Sequence, residues 1–98
     1  MRRDEILASV KQIVLEYLGD TGAQIYLFGS WALGKEARGS DIDVGVWYEK
    51  PLPAGSLSHL RDALEESTLP YSIDLVDLTR TDPFFREKVI KEAEVWNT

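Results

Sequence analysis

The chain has no cysteine and a single histidine, His59. Disulfides, thiolate metal sites, thiol nucleophiles and histidine-rich zinc centres are excluded together. Any metal chemistry must therefore run through carboxylates. Basic residues are also scarce, with 11 Lys and Arg against 17 Asp and Glu and a net charge of −6. Extended nucleic-acid binding rests on neutralising phosphates with basic side chains, so it is not expected as the main function. No apolar run approaches the roughly 20 residues of a membrane helix. The start, Met1-Arg2-Arg3-Asp4-Glu5, leads into an amphipathic pattern rather than a signal-peptide core. The expectation is a soluble, cytoplasmic protein without membrane association. At 98 residues the chain is expected to form a single domain over 1–98. Hydrophobic and charged fractions of 44% and 29% are those of a globular chain and exclude a disordered tail.

Apolar residues Ile6, Leu7, Val10, Ile13, Val14, Tyr17 and Leu18 recur at steps of three and four, which predicts a helix that Gly19 stops. After the Gly19-Asp20-Thr21-Gly22 turn signal, Gln24–Phe28 is too short for a helix and rich in strand formers. Gly29 to Ser40 reads as a loop with a short helical turn, and Ile42–Tyr48 as a second strand. Leu57, Leu60, Ala63 and Leu64 predict a second helix over Ser56–Ser67. Tyr71–Asp77 reads as a third strand, and Thr81-Asp82-Pro83 as a helix entry. Phe85, Val89, Ala93 and Trp96 then share one face of a final helix. The order predicts an α/β (α+β) domain, a small mixed β-sheet packed against helices. The first two strands should pair antiparallel across their short connection, and the second and third parallel across a helical crossover.

The stretch that carries chemistry is Gly29-Ser30 followed, after ten residues, by Asp41-Ile42-Asp43. Strand side chains alternate, so Asp41 and Asp43 share a face opposite Ile42, Val44 and Val46. Asp74 stands between Ile73 and Leu75, where an isolated ionised carboxylate is costly on a packed sheet. If its strand neighbours the second, three carboxylates converge. Clustered like charges raise one another's pKa, and a divalent cation removes that cost. Magnesium suits hard carboxylate oxygens together with substrate phosphates. Two such ions stabilise the attacking and leaving oxygens of an in-line displacement at phosphorus. Asp74 completes the second ion's shell and accepts the nucleophile's proton in this reading. Gly29 permits close backbone approach by a phosphate, and Ser30 adds a hydroxyl. Lys35 and Arg38 are candidate partners for a triphosphate tail.

Plainer readings apply elsewhere. Gly29-Ser30-Trp31-Ala32-Leu33-Gly34-Lys35-Glu36 approaches a phosphate-binding Walker A loop but carries Glu36 where that motif needs Ser or Thr. Asp77, on the parity opposite to Asp74, is expected to be exposed or capping. His59 is expected in solvent or a helix groove. Trp31 is divided between base stacking and core packing, and Trp47 and Trp96 are assigned to packing or an interface.

Leu27-Phe28-Gly29-Ser30, the ten-residue gap, Ser40-Asp41-Ile42-Asp43 and Ile73-Asp74-Leu75-Val76-Asp77-Leu78 together resemble the minimal nucleotidyltransferases of the DNA polymerase beta superfamily. The resemblance implies the nucleotidyltransferase fold and a metal-dependent transferase of nucleoside monophosphates. It implies that Gly29 and Ser30 bind the triphosphate of ATP, that Asp41 and Asp43 bind magnesium, and that Asp74 is the third carboxylate. Many relatives carry arginine directly after the serine and again two residues later, where this chain has Trp31 and Leu33. Similar small proteins are commonly antitoxins of a HEPN-domain ribonuclease toxin, some silencing it by attaching AMP to a tyrosine. A HEPN-domain partner is therefore expected, and a homo-oligomer is left open. The alternatives are an antitoxin that works by covering its toxin without chemistry, and nucleotidyl transfer to a small molecule such as an aminoglycoside.

Overall fold

The computed structural model describes residues 2–97. In chain order it contains α1 (Arg3–Leu18), β1 (Gln24–Phe28), β2 (Ile42–Trp47), α2 (Ser56–Glu66), β3 (Ile73–Asp77), a 3₁₀ turn over Leu78–Arg80, α3 (Pro83–Glu92) and β4 (Glu94–Val95). The strands form one sheet in the order β3-β2-β1-β4. β1 runs antiparallel to β2 and β4, and β2 runs parallel to β3 across the α2 crossover. The mixed α/β sheet expected from the sequence is the observed one.

Both sheet faces follow from the two-residue alternation of the strands. Ile25 and Leu27, then Ile42, Val44 and Val46, then Leu75 point to the face that α1 and α2 cover. α1 contributes Ile6, Val10, Val14 and Leu18, one residue per turn and all buried, and α2 contributes Leu60 and Leu64. α1 ends where Thr21 folds back, its hydroxyl donating to the Leu18 carbonyl at 2.6 Å. The opposite face carries a smaller cluster, Tyr26, Leu78 and Val89, joined by Phe28, Trp47, Val76 and Ile90. Asp43 and Asp74 belong by parity to this second face. Gly45 lies between Asp43 and Trp47 on β2 and makes room for Leu78, whose Cδ1 would stand 2.6 Å from a Cβ at that position.

The final helix is shorter than the apolar spacing predicts. It stops at Glu92, and Glu94–Val95 pairs with Tyr26 and Leu27 as an edge strand. Trp96 does not continue the helix face: its N–H donates to the Ile25 carbonyl at 2.9 Å and its ring enters the core on the α1 side. The edge of β1 offers unpaired backbone groups, and filling them outweighs one more helical turn. β2 also ends at Trp47 rather than Tyr48, and β3 starts at Ile73 rather than Tyr71. Trp31 is a core residue, 3% exposed, with its Nε1–H donating to the Ser40 carbonyl and its ring edge-on to Tyr71. Asp77 is a cap rather than an exposed residue, accepting from the Thr79 N–H and the Tyr48 hydroxyl at 3.0 and 2.8 Å. No helix among the described residues is long and apolar enough to cross a membrane.

Candidate active site

Strand register assembles the site. Asp43 pairs with Phe28 on one side and with Asp74 on the other, so Phe28, Asp43 and Asp74 form one row across three adjacent strands. Neighbouring strands lie about 4.8 Å apart, and directly paired residues project to the same face. Asp41 stands just before β2 in the connecting loop, exposed, two residues from Asp43. The three aspartates singled out from the sequence therefore occupy one end of the sheet.

Their electrostatics are unbalanced. Partial burial pushes the Asp43 carboxyl above its ordinary range, and the negative charges of Asp74 and then Asp41 push it further. Among the described residues, the salt bridges join Arg3 to Asp4 and Glu36, and Arg80 to Asp77, and none of them includes Asp41, Asp43 or Asp74. An all-oxygen donor set with unneutralised charge fits a hard divalent cation such as magnesium. Among the described residues no three acidic side chains are already drawn in to coordinating distance. The charges of Asp74 and Asp41 nevertheless reach Asp43, because a Coulomb influence extends farther than a metal bond does.

Gly29 closes the row. It continues directly from Phe28 at the end of β1 with a left-handed φ of +73°, and a Cβ there would run into the Asp43 carboxylate. The chain then winds into the short turn expected after Gly29. The Ala32 and Leu33 N–H groups donate to the Gly29 carbonyl at 3.1 and 3.3 Å, and the Lys35 N–H to the Ser30 carbonyl at 2.8 Å. Gly29 and Ser30 thus adjoin Asp43 through backbone geometry.

Lys35 and Arg38 are both exposed. Arg38 borders a cavity shared with Arg3, Trp31, Glu36 and Tyr71, and none of the three aspartates lines it. His59 is exposed on α2, which covers the face opposite Asp43 and Asp74. Two contributors were not assigned to the site from the sequence. Arg3 anchors the loop: its Nε donates to Glu36 Oε2 at 2.9 Å, its Nη2 to the Trp31 carbonyl, and its guanidinium lies 5.8 Å from the Trp31 ring centroid. Contacts across 28 and 33 residues leave no local pattern to find. Phe85, at the start of α3, meets Phe28 edge to face, and the Asp82-Pro83 helix entry was the signal that placed it on a fixed turn.

A family model described as "Polymerase beta, Nucleotidyltransferase" matches residues 10–96. The chain is 36% identical over 89 residues to a Haemophilus influenzae protein named "Probable protein adenylyltransferase MntA", an alignment covering 91% of this chain and 76% of that protein. Among solved structures, one described as a minimal nucleotidyltransferase superposes with a TM-score of 0.75 at 30% identity, covering 96% of this chain and 95% of that one. A toxin-antitoxin crystal structure with AMP-PNP superposes with a TM-score of 0.68 at 29% identity, over 90% of this chain and 73% of the other.

Proposed function

The chain belongs to the polymerase beta nucleotidyltransferase family, and we propose that it transfers AMP from ATP to a hydroxyl of a partner protein and so serves as the antitoxin of a toxin pair. The observation that carries the chemistry is the register that sets Asp43 beside Asp74 on one side and next to the Gly29 turn on the other. Support for the acceptor and the pairing comes from the relative named as a protein adenylyltransferase and from the toxin-antitoxin complex with an ATP analogue. The partner in this reading is a HEPN-domain ribonuclease.

Asp41, Asp43 and Asp74 would hold magnesium, which when bound supplies charge neutralisation for the triphosphate and the departing pyrophosphate. The chain's own residues bind and orient. Gly29 brings the turn close to the sheet end, where Ser30 offers its hydroxyl to the phosphates, and Lys35 and Arg38 add charge toward the tail. The acceptor oxygen attacks the α-phosphorus, forming a P–O bond as the α–β bridge breaks and pyrophosphate leaves. The acceptor's proton passes to Asp74, which stands at the sheet edge and is exposed to an incoming protein.

The test is incubation with the partner protein, magnesium and ATP labelled at either the α or the γ phosphate. Label should move to the partner from α-labelled ATP only, and not with Asp41→Ala/Asp43→Ala. Neutralisation of the toxin by that double variant, with no transfer by the wild type, would instead assign an antitoxin that acts by covering its target. Transfer to aminoglycosides and not to protein would assign a small-molecule enzyme.

A further inference from the structure

The aromatic pair beside the carboxylate row includes one exposed member, Phe85. Phe28 stands opposite Asp43 in the β1–β2 register and directly precedes Gly29. Phe85 meets it edge to face, with ring centroids 6.3 Å apart and planes at 83°. Phe85 nevertheless stays 44% exposed, although phenylalanine is among the residues most often fully buried.

The turn that carries the ring is also fixed. The Asp82 side chain accepts from the Phe84 N–H at 2.7 Å, and Pro83 fixes the first helical position. Arg86, the next residue, donates to the Leu78, Thr79 and Thr81 carbonyls at 2.8, 3.2 and 3.3 Å. Its guanidinium lies 4.3 Å from the Trp47 ring centroid. Phe85 is therefore presented from a capped and pinned first turn, whose backbone need not be ordered on binding.

We infer that Phe85, backed by Phe28, is the platform on which the base of the nucleoside triphosphate stacks. The inference rests on the nucleotidyltransferase reading, since it is the Gly29 turn and the Asp43 row that bring a triphosphate to this end of the sheet. An exposed aromatic ring on a fixed helical turn can meet the π-face of a base, and such stacking tolerates any base. Purines cover more of the ring than pyrimidines, so ATP and GTP are favoured over CTP and UTP on area alone. The platform selects a nucleotide over bare polyphosphate. It does not choose adenine over guanine.

The experiment is calorimetric titration, in magnesium, of ATP and of inorganic tripolyphosphate into the wild type, Phe85→Ala and Phe85→Trp. Phe85→Ala should weaken ATP about tenfold or more, leave tripolyphosphate affinity unchanged, and be rescued by Phe85→Trp. If ATP affinity is unaltered in Phe85→Ala while tripolyphosphate binds, the inference fails and the family reading stands. Equal weakening of both ligands would make Phe85 a support of the fold and overturn the inference as well. If neither ligand binds the wild type, the reading beneath it fails, and the inference with it.

Discussion

The Asp43 carboxylate fills the space that a side chain on Gly29 would need: with φ at +73°, a Cβ on Gly29 would clash with Asp43 Oδ2. Glycine at 29 is thus required twice, by the left-handed backbone and by the side chain across the register. Gly29→Ala should lose about 1–2 kcal/mol to backbone strain and displace Asp43. A misplacement of that kind costs a rate of about 100-fold. Thermal unfolding and AMP transfer, measured together, check both parts; an alanine variant with full transfer would contradict the assigned contact.

Burial and the charges of Asp74 and Asp41 raise the Asp43 carboxyl in the fold. A raised acid binds its proton more tightly when folded. Its contribution to stability is therefore complete below the ordinary carboxyl range, about pH 4, and is lost as pH rises through the raised folded value. In magnesium-free buffer, stability should fall with pH across that window, and Asp43→Asn should flatten the fall and raise the melting temperature at pH 7. Magnesium should stabilise the wild type and leave Asp43→Asn unmoved. Identical pH profiles for the two proteins would show that Asp43 carries no such load.

Gly45 and Leu78 share a second close approach, on the face that α3 covers. Gly45→Ala overpacks this contact and should destabilise by about 1–3 kcal/mol. Leu78→Ala alone leaves a cavity, so the double variant should be more stable than the sum of the single losses predicts. Denaturant melts of the three variants measure the coupling, and strict additivity would count against the packing described.

Asn97 clamps the outer edge of β1, its Oδ1 accepting from the Ile25 N–H at 2.8 Å and its Nδ2 donating to the Ala23 carbonyl at 2.5 Å. Asn97→Ala leaves both backbone groups short of a partner and should cost about 1–3 kcal/mol. ATP binding should survive, because the clamp lies at the end of β1 remote from Gly29. Urea melts and ATP titration of the same variant separate the two effects.

The parts of the fold that rest on local periodicity were legible in the sequence. Alternation in Ile42–Trp47 put Asp43 opposite the core, and the Asp82-Pro83 entry located α3. The end of the chain was not legible, because Phe85, Val89, Ala93 and Trp96 keep helical spacing whether or not the helix continues. What ends it is an open edge on β1, some seventy residues away in the chain, which takes Val95 and Asn97 as partners. The same holds at the site. Asp43 and Asp74 declare themselves as carboxylates within strands and Asp41 as the carboxylate two residues before Asp43, whereas Arg3 and Phe85 become relevant only through contacts that the fold makes. Trp31 shows the limit for single residues: its size fits a base or a core equally, and the Ser40 carbonyl and Tyr71 ring decide for the core.

The dependence of ATP binding on magnesium and on the aspartate row is the most direct test of the account. Calorimetry should detect ATP uptake by the wild type with magnesium present, little without it, and none by a folded Asp41→Ala/Asp43→Ala variant under either condition. Uptake of equal strength with and without magnesium, or by the double variant, would contradict it.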